Sequence, residues 1–141
     1  MTVKKYHKLD CAYDYNIVVL AINSHSKAYK LCWGLNKALG LNFEKTDGHK
    51  INKELVFTRY KTKNTDGEDL NLVINRSKKG YMIPSKKSIN YFLIIKKEEF
   101  LIKKDGFLSK LREINDILLV FEFDINKEKN SERFIIHDKK N

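Results

Sequence analysis

The chain predicts an α+β domain: a single-layer mixed β-sheet with two helices on one face, in the order β-α-β-β-β-α-β. Three observations carry this. Two runs, Asn16 to Ile22 (NIVVLAI) and Ile117 to Phe123 (ILLVFEF), are apolar at nearly every position, as strands buried on both faces are. Directly after the first, Ala28, Leu31, Cys32, Leu35, Ala38 and Leu39 recur at the helical period and Gly40 closes the segment. The 141 residues, 42% hydrophobic and 33% charged, are enough for one core, too few for two ordinary domains and too apolar for wholesale disorder.

In order along the chain, residues 1–12 are mostly polar and read as a lead-in to a domain spanning 13–124. After the first strand, Ser24 and Ser26 offer caps for the first helix. Residues 42–53 (NFEKTDGHKINK) are polar, and Asp47-Gly48 reads as a turn. Leu55 to Tyr60 and Leu70 to Asn75 form a hairpin around Asn64-Thr65-Asp66-Gly67, a loop longer than two residues. The second of these strands alternates, Leu70, Leu72 and Ile74 against Asn71, Val73 and Asn75, so one face is expected inward and one wet. A basic connection, 76–88, holds the only proline, Pro84, and leads to the fourth strand at Ile89 to Ile95.

Glu98 to Ile114 predicts the second helix, with Phe107, Leu108, Leu111 and Ile114 on one side; Gly106 leaves its start open, since Asp105 offers a cap for a shorter version. The fifth strand is Ile117 to Phe123. Residues 125–141 form a charged tail in which Phe134-Ile135-Ile136 either docks or frays. Helices joining strands in this pattern lie on one face of the sheet through right-handed crossovers. A ferredoxin-like or ACT-like variant with an added strand fits best, with the first and last strands together in the sheet centre.

Charge narrows the function less than its size suggests. The net charge of +10 attracts nucleic acid or anionic membrane, but it comes from 24 Lys and only 4 Arg, a lysine bias that nucleotide composition alone produces. Its distribution says more. Residues 1–60 carry +5, 61–100 carry +4, 101–123 balance to zero and 124–141 carry +1, and Arg76 to Lys97 holds seven basic residues and no acid. The longest apolar runs fall far below the ~20 residues of a membrane span. The opening MTVKKYHKLD has no apolar stretch behind its lysines, so no secretory signal and no membrane partner are expected.

Cys11 and Cys32 lie in no CxxC pair, and His7, His25, His49 and His137 make no zinc spacing, so no metal and no cofactor are expected. A reduced cytoplasmic protein is the simplest reading, with a Cys11–Cys32 disulfide as its rival. No GxSxG, P-loop, GxGxxG or HExxH occurs. On the helix, His25 and Cys32 stand ~10 Å apart along the axis, too far for a nucleophile and its base, and Cys32 belongs to the apolar stripe. No catalytic residue is assigned.

Two surfaces remain. With Ala28 at zero, the first helix's apolar stripe spans roughly 280° through 40°, while Tyr29, Trp33 and Lys37 fall near 100°, 140° and 180°. Spaced i, i+4, i+8 on the side facing water, they are either covered by the lead-in or by Phe134-Ile135-Ile136, or form a protein-binding face. A homodimer is one form of that partnership. The alternative is an RNA-binding accessory protein using Arg76, Lys78, Lys79, Tyr81, Lys86 and Lys87, where cations and one aromatic serve phosphates and a base. A third class is a small-molecule sensor of the ACT kind, which rests on topology alone.

Residues 83–91 read Ile83-Pro84-Ser85-Lys86-Lys87-Ser88-Ile89-Asn90-Tyr91. This resembles the signature of the IPExxxVDY family of small bacterial proteins, as do His25 to Trp33 with Asn36-Lys37, and Asn75-Arg76-Ser77. The likeness runs from about residue 13 to residue 124. Ile83, Pro84 and Tyr91 match, whereas Ser85, Ile89 and Asn90 stand where the signature has Glu, Val and Asp. The resemblance implies no activity, and any chemistry of those two acids is absent here. An acid at position 85 in relatives also argues against a phosphate clamp in this loop.

Overall fold

A computed structural model describes residues 16–62 and 70–136. Six strands, β1 (Ile17–Asn23), β2 (Phe43–Lys50), β3 (Val56–Thr62), β4 (Asn71–Ile74), β5 (Tyr91–Lys96) and β6 (Leu119–Phe123), form one sheet in the order β2-β3-β4-β5-β1-β6. Two helices, α1 (Ala28–Leu39) and α2 (Lys97–Arg112), follow β1 and β5. The α+β class with two helices is as expected; the mixed sheet of five strands is not. Every pairing is antiparallel, and the element order is β-α-β-β-β-β-α-β.

The additional strand is β2, which the polar 42–53 segment conceals. Asp47-Gly48 is no hairpin turn but sits where the β2–β3 register shifts, between Thr46 and His49. The reversal comes later: Ile51 N–H donates to the Leu55 carbonyl and Asn52 Oδ1 accepts the N–H groups of Glu54 and Leu55. An edge strand needs few buried side chains, and β2 buries only Phe43 and His49.

β1 lies between β5 and β6, so both parities of IVVLAI are enclosed: Leu20 and Ile22 under the helices, Val19 and Ala21 on the opposite face. The first and last strands are neighbours as expected, but β6 is an edge and not central. Leu118, Leu119 and Phe121 are 60%, 53% and 37% exposed.

Both helices lie on one face, where Leu31, Leu35, Phe100, Phe107, Leu108 and Leu111 pack on Leu20, Leu72, Leu93 and Ile95. α1 begins after Lys27 with no side-chain cap. Ser24 and Ser26 are not helix caps: Ser24 Oγ instead accepts the Ser26 N–H at 3.1 Å in a local turn. The helix ends where expected, at Gly40, whose φ of 66° is left-handed. α2 takes the long form and runs through Gly106.

The other face of the sheet is roofed by irregular chain. Met82, Ile83 and Ile89 from the 75–90 connection, and Phe134 beyond β6, cover Val19, Ala21, Val73, Phe92 and Ile94. The expected wet face of β4 is therefore dry: Asn71, Val73 and Asn75 are all buried. Phe134 docks, edge-on to Phe92 and Phe123 with centroids 4.9 and 5.9 Å away, so residues 125–136 continue the fold across the sheet.

Candidate functional site

The side of α1 turned from the core carries the candidate face. Leu31, Cys32 and Leu35 are buried, whereas Tyr29 and Trp33 are 66% and 64% exposed. Lys37 is exposed one turn further on, its Nζ 5.1 Å from the Trp33 ring centroid, so the cation rests on the indole. Phe134 and its neighbours lie across the sheet and do not cover this face. The lead-in, the other proposed cover, lies outside the described residues.

Beside Trp33 a groove of about 580 Å³ opens between α1 and the end of α2. Lys30, Trp33 and Lys37 line one side, and Lys110, Glu113 and Asp116 the other. Its floor follows from Gly34. A Cβ there would stand 3.3 Å from Ile114 Cγ2, so the missing side chain lets the turn after α2 approach α1 and leaves a notch next to the indole. The groove thus offers an aromatic wall, an apolar floor and charges of both signs. Periodicity placed the three α1 residues; Lys110, Glu113 and Asp116 come from a distant segment and carried no signal of their own.

The six residues of the basic connection do not converge. Arg76, Lys78 and Lys79 line a groove of about 720 Å³ with Glu54, Val56 and Thr58. Lys86 is held elsewhere, its Nζ 3.8 Å from Glu128 Oε2, while Ser85 Oγ donates to Glu128 Oε1 at 3.1 Å. Lys87 Nζ stands 5.5 Å from the centroid of Tyr81, which is half-buried. A stretch without acids in the chain therefore has two in space, Glu54 from the turn before β3 and Glu128 from the segment after β6.

Asn75 organises the whole connection. Its Nδ2 donates to the carbonyls of Lys86 and Ile89 at 3.0 and 2.8 Å, and its Oδ1 accepts the Ile83 N–H at 3.1 Å. Arg133 Nη1 donates to the Tyr81 and Met82 carbonyls at 2.9 and 3.2 Å, and the Arg133 carbonyl meets His49 Nε2, tying the two roofing segments to β2. The signature positions are structural in the same sense. Ile83 is buried, Pro84 opens a 3-10 turn, and Tyr91 donates through its hydroxyl to the Ser26 carbonyl. Asn90 Oδ1 accepts the Ser24 N–H at 2.8 Å, joining the start of β5 to the turn after β1.

Cys32 is a free thiol, and burial pushes its pKa up to about 12, so it stays protonated near neutrality. His25 is exposed while Cys32 is buried, so the two form no nucleophile and base. His49 is buried against Arg133; Cys11, His7 and His137 lie outside the described residues. Among the described residues no three His, Cys, Asp or Glu side chains gather as a metal would require, and no helix is long and apolar enough to cross a membrane.

Fold and site together define a small α+β domain that presents one aromatic helix face beside a groove. No protein-family model matches the chain, and no curated protein matches it.

Proposed function

We propose that this chain is a non-catalytic, cytoplasmic protein-binding domain acting through Tyr29, Trp33 and Lys37. One observation carries the reading: the only tryptophan of the sequence stands two-thirds exposed on a helix whose other side is buried, at the rim of a notch. Aromatic side chains of this kind are favoured interface anchors because they bury much area at little entropic cost. The partner chemistry that fits is a segment placing an apolar side chain over Gly34 and a carboxylate near Lys30 and Lys37.

Trp33 itself is the probe. In the free protein its emission should be red-shifted and quenched by iodide. On partner binding it should shift blue, and Trp33→Ala should weaken capture of that partner by tenfold or more, on the order of 2 kcal/mol at an anchor. Between low and moderate salt the affinity should change little. A partner retained at full affinity by Trp33→Ala would overturn the reading.

RNA binding through Arg76, Lys78, Lys79, Tyr81, Lys86 and Lys87 is the second reading, supported by the groove that the first three line. It predicts affinity falling steeply with salt and lost when Lys78, Lys79, Lys86 and Lys87 are neutralised together. The engagement of Lys86 by Glu128 weakens it. Membership of the IPExxxVDY family belongs to the same proposal, supported by the structural use of Ile83, Pro84 and Tyr91. A ferredoxin-like ancestry is supported by the order β4-β5-β1-β6 with both helices on one face, the hairpin β2–β3 being the insertion. ACT-like ligand sensing has that topology alone in its favour.

A further inference from the structure

The two edges of the sheet are unlike. β2 exposes Glu44, Lys45, Asp47 and Lys50 along its length and is broken by the irregular register between Thr46 and His49. Charge and irregularity are the usual defences of an edge against pairing with another strand. β6 has neither. Its pairing with β1 is regular from Leu119 to Phe123, it contains no lysine, proline or glycine, and its one charge, Glu122, is taken by Lys104 of α2 at 3.3 Å. Among the described residues no strand pairs with its outer side, where alternate N–H and C=O groups point outward beside the exposed Leu119 and Phe121.

We propose that β6 pairs antiparallel with β6 of a second copy of this chain, joining two sheets into one about a two-fold axis near Phe121. In this register Phe121 faces its own counterpart and Leu119 faces Phe123, apolar against apolar on one face of the sheet, while on the other Glu122 falls opposite Val120 and not opposite another carboxylate. Two chains of +10 repel each other, and any contact between them must avoid the lysine-rich regions. Residues 101–123, which hold most of α2 and all of β6, carry as many acids as bases and are the only neutral stretch of the four into which the charge divides. The edge lacking defences is thus also the place where two copies approach at the least electrostatic cost.

The test is the mass of the full-length protein in solution across a dilution series, at low and moderate salt, with hydrogen exchange read at both ends of the series. The expected result is a monomer–dimer equilibrium that tightens as salt screens the net charge, with β6 amides gaining protection as concentration rises. Leu119→Lys places two like charges in the seam and should raise the dissociation constant about tenfold or more. Trp33→Ala should leave dimerisation unchanged, which separates this interface from the α1 face. The proposal is overturned by a chain still monomeric at ~1 mM, or by a dimer indifferent to Leu119→Lys. It is equally overturned by β6 protection that does not depend on concentration, the mark of a segment of the same chain lying on the edge. Should Leu119→Lys not fold, hydrogen exchange on the unaltered protein decides.

Discussion

Every polar atom of the Asn75 side chain is bonded to backbone between Ile83 and Ile89. The connection that roofs the sheet is thereby held chiefly by side chains, Asn75 from within and Arg133 from the segment after β6, instead of by a ladder. Removing the Asn75 amide strands the Ile89 carbonyl and the Ile83 N–H, while the Lys86 carbonyl keeps only the Ile89 N–H, and each orphan costs about 1–3 kcal/mol when nothing replaces the bond. Asn75→Ala should therefore lose about 3 kcal/mol or more, read as a lower denaturation midpoint with unchanged slope in urea. Asn75 was visible in the sequence as the residue ending a strand, but alternation assigned it to water. Nothing local announces that a loop will fold back over it.

At the scale of elements, β1, α1 and β5 were legible because burial wrote itself into their apolar positions. β2 was not, because an edge strand is held by backbone pairing, which leaves no trace in side-chain polarity. β6 misled in the opposite sense. Its apolar run suggests a centre, yet among the described residues it ends the sheet, with Leu119 and Phe121 left exposed. The aromatic face of α1 was readable by angle alone, whereas the acids across its groove are brought by the turn after α2 and could not be.

α2 itself carries a correctable weakness. Gly106 lies in its interior, exposed, and a Cβ built there meets nothing within 4 Å. Glycine at such a position costs a helix roughly 0.5–1 kcal/mol relative to alanine. Gly106→Ala should stabilise the protein by about that amount in thermal or urea unfolding and leave the α1 face untouched.

Taken whole, the molecule has two unequal sides: one sealed by helices, the other by two irregular segments latched through Asn75, Arg133 and His49. The weight of the second side rests on Phe134, fully buried against Phe92 and Phe123. Phe134→Ala should cost about 3–5 kcal/mol by calorimetry, the range for truncating a buried aromatic. A freely frayed tail would instead make that substitution silent.

The strand order also sets a timetable. β1 is the second-to-last strand of the sheet in space, yet it precedes the other five along the chain, and both its partners come late: Ile17 waits for Lys96, and Asn23 for Leu119. Pairings so distant along the chain make for slow folding. During translation IVVLAI emerges before either strand it pairs with, and the residues of the β3–β4 hairpin are complete before either partner exists. A nascent chain of this design holds an apolar strand with both edges open until β5 is made, and open edges of that kind are exposed to aggregation.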